Sequence, residues 1–293
     1  MLTLTFLGVG NAFAKRNFHS NALVEAWSRG PDHEQEPQDT LLIDFGTTGP
    51  LALHQLKDRP GFAYLDADGV ADYTRIRHVF ITHQHADHIG GLEELAFMNT
   101  CVLTRTGASP PFRPRLIVVG DMHQALWDGS LKGGLRVLQG RYAALEDYFC
   151  PVALDLRGPE PDAFTLADRY RFVPVPTDHL HVEERFDWPS FGLQMIDAPT
   201  GRSVFYTGDS RFDFAAYRRL MADADLCFHE VQLVDQPDPV HALLSELRAL
   251  PAEIKKKTVL YHYGDDWDSG EFDFVNEEFA GFAKPQQRYV LFD

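Results

Sequence analysis

The chain has 293 residues, 44% of them hydrophobic, with 43 Asp and Glu against 27 Lys and Arg, a formal net charge of −16. That balance argues against a broad, non-specific nucleic-acid surface, which needs Lys and Arg to neutralise phosphates, but it leaves room for a small anionic substrate if bound cations make a site locally positive. No apolar run approaches the roughly 18 residues of a membrane span, and three scattered cysteines without a CxxC, Cys101, Cys150 and Cys227, read as reduced, buried thiols of a cytoplasmic protein.

Thr3 to Leu7 alternates and stops at Gly8-Val9-Gly10-Asn11, the pattern of a strand and turn rather than of a signal peptide. Asn21 to Trp27 reads as a second strand, Arg29 to Asp39 as a polar hairpin, and Thr40 to Gly46 as a third strand closed by glycine. A helix over 51–56 and an acidic stretch over 66–72 lead to a strand over 77–81, and a helix is predicted over 92–98. Pro110 to Pro114 forces a break. A strand over 115–120 and a helix over 122–127 follow. Residues 132–157, with Gly133-Gly134 and the aromatic Tyr142, Tyr148 and Phe149, read as a packed, partly helical excursion. In the second half, strands are predicted over 171–176, 191–196, 203–206, 226–229, 258–261 and 287–292, and helices over 214–221 and 241–248. Strand and helix alternate in two similar halves with no Pro/Ser/Gly linker. This predicts one α/β domain over 1–293, a four-layer αββα sandwich of two mixed β-sheets with outer helices.

Four potential metal ligands, His83, His85, Asp87 and His88, crowd into the loop between the strand over 77–81 and the following helix. Loop residues can converge on one point while the elements on either side hold them still. So dense a set of His and Asp would be costly without a cation to share, so a merely His-rich polar turn is the poorer reading. His179, Asp209 and His262 each stand where an apolar strand is predicted to stop. One such residue alone is usually structural. Together with HxHxDH they make five His and two Asp, a donor set that suits Zn²⁺, Mn²⁺ or Fe rather than Ca²⁺ or Mg²⁺, which prefer all-oxygen shells. A carboxylate can bridge two such ions, and a pair about 3.5–4 Å apart can activate water and clamp a developing oxyanion.

Phe6 to Gly10, Leu42 to Gly46, the HxHxDH loop, His179, Tyr206-Thr207-Gly208-Asp209 and His262 occur in an order that resembles the metallo-β-lactamase superfamily over nearly the whole chain. The resemblance implies that fold and two divalent ions, Zn²⁺ first and Mn²⁺ as the alternative. One would be held by His83, His85 and His179, the other by Asp87, His88 and His262, with Asp209 bridging. His181 competes for the third place, but Pro176-Thr177-Asp178-His179 is more similar to the family's pattern. Within the superfamily, Ala224 to Glu230 and His241 to Glu246 resemble two motifs of the ribonuclease Z-like and cyclic-nucleotide phosphodiesterase branch. This implies Asp87, Glu230 and His241 as catalytic residues, with Glu230 orienting His241 and His241 protonating the leaving oxygen.

Two departures weaken the tRNA-processing form of that branch. His179 and Asp209 are only 30 residues apart, too few for a tRNA-gripping arm, and the chain is acidic. The resemblance therefore implies a phosphodiesterase acting on a small phosphodiester, foremost a 3′,5′-cyclic nucleotide such as a defence signal, through water activated by the metals. A tRNA 3′-end endonuclease is the alternative, and a lactonase-type hydrolase a further one. Arg211 and His19 are the candidate substrate contacts, with Lys132 a further one. A homodimer is implied; extended nucleic acid is disfavoured and no membrane is involved.

Overall fold

Two seven-stranded sheets form among the described residues, which in the computed structural model are 1–103, 111–182 and 186–293, without the side chains of 181, 182, 186 and 187. The first runs in the order Cys150–Leu154, Arg115–Val119, His78–Phe80, Asp39–Ile43, Asn21–Ala26, Leu2–Gly8, Arg288–Phe292. The second runs Phe164–Leu166, Tyr170–Val182, Phe186–Asp197, Ser203–Tyr206, Leu226–Glu230, Thr258–Tyr261, Gly281–Phe282. Every residue of Leu2–Gly8, Asn21–Ala26 and Ser203–Tyr206 is buried, so both faces of these strands are covered. One face meets the other sheet. Phe6 lies 5.4 Å from both Phe228 and Tyr261, Phe80 lies 5.9 Å from Phe164, and Tyr170 lies 6.1 Å from Phe292, each pair joining one sheet to the other. Burial of one such ring is worth roughly 1.5–3 kcal/mol, with about 0.5–1.5 kcal/mol more for the aromatic pairing.

Helices cover the outer faces. Gly49–Leu56 buries Ala52, Leu53 and Leu56 on one side and opens on Pro50, where a missing N–H costs nothing. Phe214–Asp223 starts where the Asp213 carboxylate accepts from the Ala216 N–H at 2.9 Å, and Tyr217 packs 5.6 Å from Phe205 of the sheet beneath. The αββα sandwich is the architecture observed.

Parallel pairing positions the site. Asp39–Ile43, His78–Phe80 and Arg115–Val119 are mutually parallel, as are Ser203–Tyr206, Leu226–Glu230 and Thr258–Tyr261. The carboxyl ends of each trio therefore open on one edge of their sheet, where α/β folds gather ligand-binding loops. Backbone bonds close the two edges together: Phe191 N–H donates to the Thr82 carbonyl (3.1 Å) and His262 N–H to the Val9 carbonyl (2.7 Å).

Several local expectations change. The strand predicted over 171–176 runs on to Val182 and returns as Phe186–Asp197, so His179 lies within a strand, at a break in register between Thr177 and Leu180. A bulge of this kind re-aims a side chain. The excursion over 132–157 contains the Cys150–Leu154 strand, whose Pro151 suits its position at the sheet edge. The helix expected over 241–248 is confined to Leu244–Leu247, because Gln232 N–H donates to the Ala242 carbonyl and Leu244 N–H to the Gln232 carbonyl, which holds 242–244 extended against that loop. Short elements at Phe164–Leu166, Val275–Glu278 and Gly281–Phe282 were not anticipated. Pro110 and the His181 side chain lie outside the described residues. All three cysteines are free, but only Cys227 is fully buried. Among the described residues no helix is long and apolar enough to cross a membrane.

Candidate metal centre

The site begins with two residues that end strands in the left-handed backbone region, Asp44 (φ 60°) and His262 (φ 64°). Asp and His adopt that conformation more readily than most side chains, though it is uncommon for any residue but glycine. At Asp44 the turn directs a wholly buried carboxylate back under the HxHxDH loop. It accepts from Thr82 N–H (2.8 Å), Thr82 Oγ1–H (2.7 Å) and His88 Nδ1–H (2.7 Å). Gly46 lets the loop lie on this strand end, since a Cβ there would come within 1.7 Å of the Asp87 carbonyl oxygen.

These bonds fix which ring nitrogens face inward. Thr82 Oγ1 gives its proton to Asp44 and so accepts from His83 Nδ1 at 3.0 Å. His179 Nδ1 donates to the Val240 carbonyl at 2.8 Å. His83, His88 and His179 thus each commit Nδ1–H outward and turn Nε2 into the centre. His83 Nε2 lies 2.9 Å and His179 Nε2 3.3 Å from His85 Nδ1. Asp209 Oδ2 is 3.8 Å from His83 Nε2, 3.3 Å from His88 Nε2 and 3.2 Å from His262 Nε2, while Asp87 Oδ2 is 3.2 Å from His88 Nε2 and 3.4 Å from His262 Nε2. Among the described residues the seven predicted ligands fall into two groups, His83/His85/His179 and Asp87/His88/Asp209/His262, with donor atoms no more than 4.8 Å apart in each; two further groupings bring in His241, with His179 and Asp209 and with Glu230 and His262. Asp209 reaches both.

The electrostatics match this geometry. Burial pushes His83 well below the ordinary histidine value, so its ring is neutral. Burial also opposes charge on His88, but Asp209, Asp44 and Asp87 outweigh it and push His88 well up. Burial would raise Asp209, yet His262 and His88 hold it well down. The carboxylates that would keep a proton on His88 are equally suited to keep a cation beside it. His88 Nε2 and Asp209 Oδ1 are both buried and lack a hydrogen-bond partner. Buried polar atoms are normally satisfied, so converging imidazole lone pairs and carboxylate oxygens, all borderline-metal donors, fit divalent cations.

Beside this cluster, Glu230 is completely buried, and its Oε1 accepts from His241 Nδ1 (3.2 Å), Ser210 N–H (3.0 Å) and Ala242 N–H (3.2 Å). Burial works against charge on His241, but Glu230 overcomes it and the imidazole is pushed up to about 9. The other sequence candidates fall in different places. Arg211 Nε donates to the His179 carbonyl at 3.3 Å and braces that strand. His19 is buried, its Nδ1 has no partner, and burial lowers it despite nearby Asp87. Lys132 is half-exposed in an ion pair with Asp128. Sequence reasoning passed over Asp44 as a site residue, although a lone carboxylate inside Leu41-Leu42-Ile43-Asp44-Phe45 was a signal. It also missed Trp188, which stacks on His85 at 5.4 Å; nothing in the sequence marked that contact.

A protein-family model described as "Anti-Pycsar protein Apyc1" matches residues 2–289. A relative with that description from Paenibacillus sp. (strain J14) is 35% identical over 283 residues, covering 94% of this chain and 97% of its own. Among solved structures, the metallo-β-lactamase fold protein YhfI from Bacillus subtilis superposes with a TM-score of 0.66 at 17% identity, covering 98% of each chain. The short form of human tRNase Z gives 0.62 at 18% identity, covering 99% of this chain and 100% of its own. At these identities the two structures speak to the fold.

Proposed function

The chain belongs to the Anti-Pycsar Apyc1 family, and from that membership we infer a metal-dependent phosphodiesterase that degrades cyclic nucleotides of defence signalling. Our reading assigns one divalent ion to His83, His85 and His179, a second to Asp87, His88 and His262, and Asp209 to both. Zn²⁺ is the ion of choice, with Mn²⁺ as the alternative. The single observation that carries this assignment is the buried donor cluster with its inward-facing, unpartnered His88 Nε2 and Asp209 Oδ1.

Bound in these positions, divalent ions supply the Lewis acidity that activates water and offsets phosphoryl charge. The chain's own residues do the rest. Asp44, through Thr82 and directly, keeps His83 and His88 in the tautomer whose Nε2 is free, and Val240 does so for His179. Glu230 takes the Nδ1–H of His241, which leaves His241 Nε2 to protonate the departing 3′ oxygen. Water oxygen bonds to phosphorus as the P–O3′ bond breaks, O3′ leaves with the proton from His241, and a 5′-monophosphate results. The buried Glu230 carboxylate beside His241 Nδ1 favours the protonated ring that a proton donor needs. The buried His19 and the strand-bracing Arg211 stand as candidate substrate contacts. We read 1–293 as one hydrolase unit acting in the cytoplasm. We take the enzyme to act as a homodimer, as the resemblance to its branch implies.

The test is His241→Ala. Metal content stays at the wild-type level, while kcat on a 3′,5′-cyclic nucleotide falls by about 10²–10⁴. A metal-loaded variant with full turnover would remove His241 from the reaction.

A further inference from the structure

If His241 protonates the departing 3′ oxygen, the ribose and its base lie on the His241 side of the metal cluster. A cavity of about 420 Å³ opens on that side, lined by His241, His262, Ala12, Phe13, Leu233 and Val234 among others. Its size falls in the range of small-molecule sites, about 300–1,000 Å³. The larger cavity of about 650 Å³ beside Val119, Leu154 and Phe191 is lined by neither His241 nor His262.

Phe13 is 85% exposed and Val234 62% exposed, and both belong to this cavity's wall. The loop carrying Phe13 is not loosely held. Asn11 Oδ1 accepts from Phe13 N–H and Ala14 N–H, each at 3.0 Å, and Asn11 N–H donates to the Tyr263 carbonyl. On the other side, Lys15 N–H and Arg16 N–H donate to the Asp265 carboxylate at 2.7 and 3.0 Å, and the Arg16 guanidinium reaches Asp268. A braced loop that holds an aromatic ring in water loses apolar burial for no structural return, but it presents a preorganised π-face to a ligand. Two polar side chains of the wall, Gln232 and Asp235, are already engaged. Gln232 donates to the Val234 carbonyl and accepts from Gln236, and Asp235 accepts from Ser245. The exposed ring face is a recognition element available there.

We propose that Phe13 is the platform on which the nucleobase of the substrate stacks, with Val234 on the same cavity wall. The proposal rests on the cyclic-nucleotide reading above and adds where the base sits. The experiment compares KM for a 3′,5′-cyclic nucleotide with KM for methyl riboside 3′,5′-cyclic phosphate, the same sugar phosphate without its base. In Phe13→Ala the ratio of the two KM values shifts about tenfold against the nucleotide, the lower part of the range for base–aromatic stacking, and Phe13→Trp restores it. Equal KM changes on both compounds, or none on either, would overturn the platform. Wild-type enzyme that cleaved the base-free ring but no cyclic nucleotide would overturn the substrate reading, and the platform with it.

Discussion

Replacing Asp44 by Asn removes one charge from beneath the metal loop with little other disturbance. Asn tolerates the left-handed backbone at this position as well as Asp does, so the turn survives. The carboxylate, however, faces three donors: Thr82 N–H, Thr82 Oγ1–H and His88 Nδ1–H. An amide keeps one acceptor oxygen and turns its NH₂ toward the Thr82 hydroxyl and His88 ring that share Oδ2, or toward the Thr82 N–H. Two histidines are affected at once, His88 directly and His83 through Thr82, one from each donor group. Loss of an outer partner of this kind weakens metal binding about 10- to 100-fold, or roughly 1.4–2.8 kcal/mol. Competition titration against a chromogenic chelator measures it. The expected result is a Kd for Zn²⁺ or Mn²⁺ raised by that factor, with kcat largely recovered at saturating metal. Asp44→Asn enzyme with wild-type metal affinity would refute the view that this buried carboxylate orients the ligands.

Two more substitutions probe other parts of the molecule. Asp209→Asn alters a carboxylate that reaches both donor groups, so metal content by elemental analysis should fall by at least one equivalent and activity by about 10³-fold or more, since a bound ion supplies several kcal/mol of transition-state stabilisation. Arg169→Met removes the pair of bonds, 2.6 and 3.1 Å, through which Arg169 holds the Asp197 carboxyl below its ordinary value of 3.8. Because the folded value is the depressed one, the stabilisation is present above the unfolded value and is lost as pH falls through the folded one. The variant should be about 1 kcal/mol less stable at pH 7, a figure reduced because Arg169 is partly exposed, and thermal melts should show the gap closing below about pH 4. A gap that did not change with pH would separate the effect from the ion pair.

How far the sequence could be read follows from what each signal depends on. HxHxDH declared itself because its four side chains are local, and the two-sheet architecture followed from alternating elements without a linker. Asp209 and His262 were legible as polar residues ending apolar strands. His179 was found by the same logic, although its strand does not end there; a register break aims it inward, and the cross-strand pairing that creates the break is not written in any short stretch. The helix expected from His241 onward fails because Gln232, on a separate segment, pairs with 242–244 and keeps the chain extended. Cys150–Leu154 was hidden by its proline and by the glycine-rich stretch before it. Phe13 gave no signal, since an aromatic residue in a turn looks the same whether it faces the core or the solvent, and only the bonds of Asn11 and Asp265 decide which.

The most direct measurement is a side-by-side activity panel on metal-loaded and metal-stripped protein, offering 3′,5′-cyclic nucleotides, a precursor tRNA and a lactone at the same salt concentration. The account predicts that the metal-loaded protein opens the cyclic nucleotides to 5′-monophosphates, that stripping abolishes this and that restored Zn²⁺ or Mn²⁺ recovers it, with little turnover of the other two. Precursor tRNA cut at its 3′ end while cyclic nucleotides stay intact, or cyclic-nucleotide hydrolysis undiminished after the metal is gone, would contradict it.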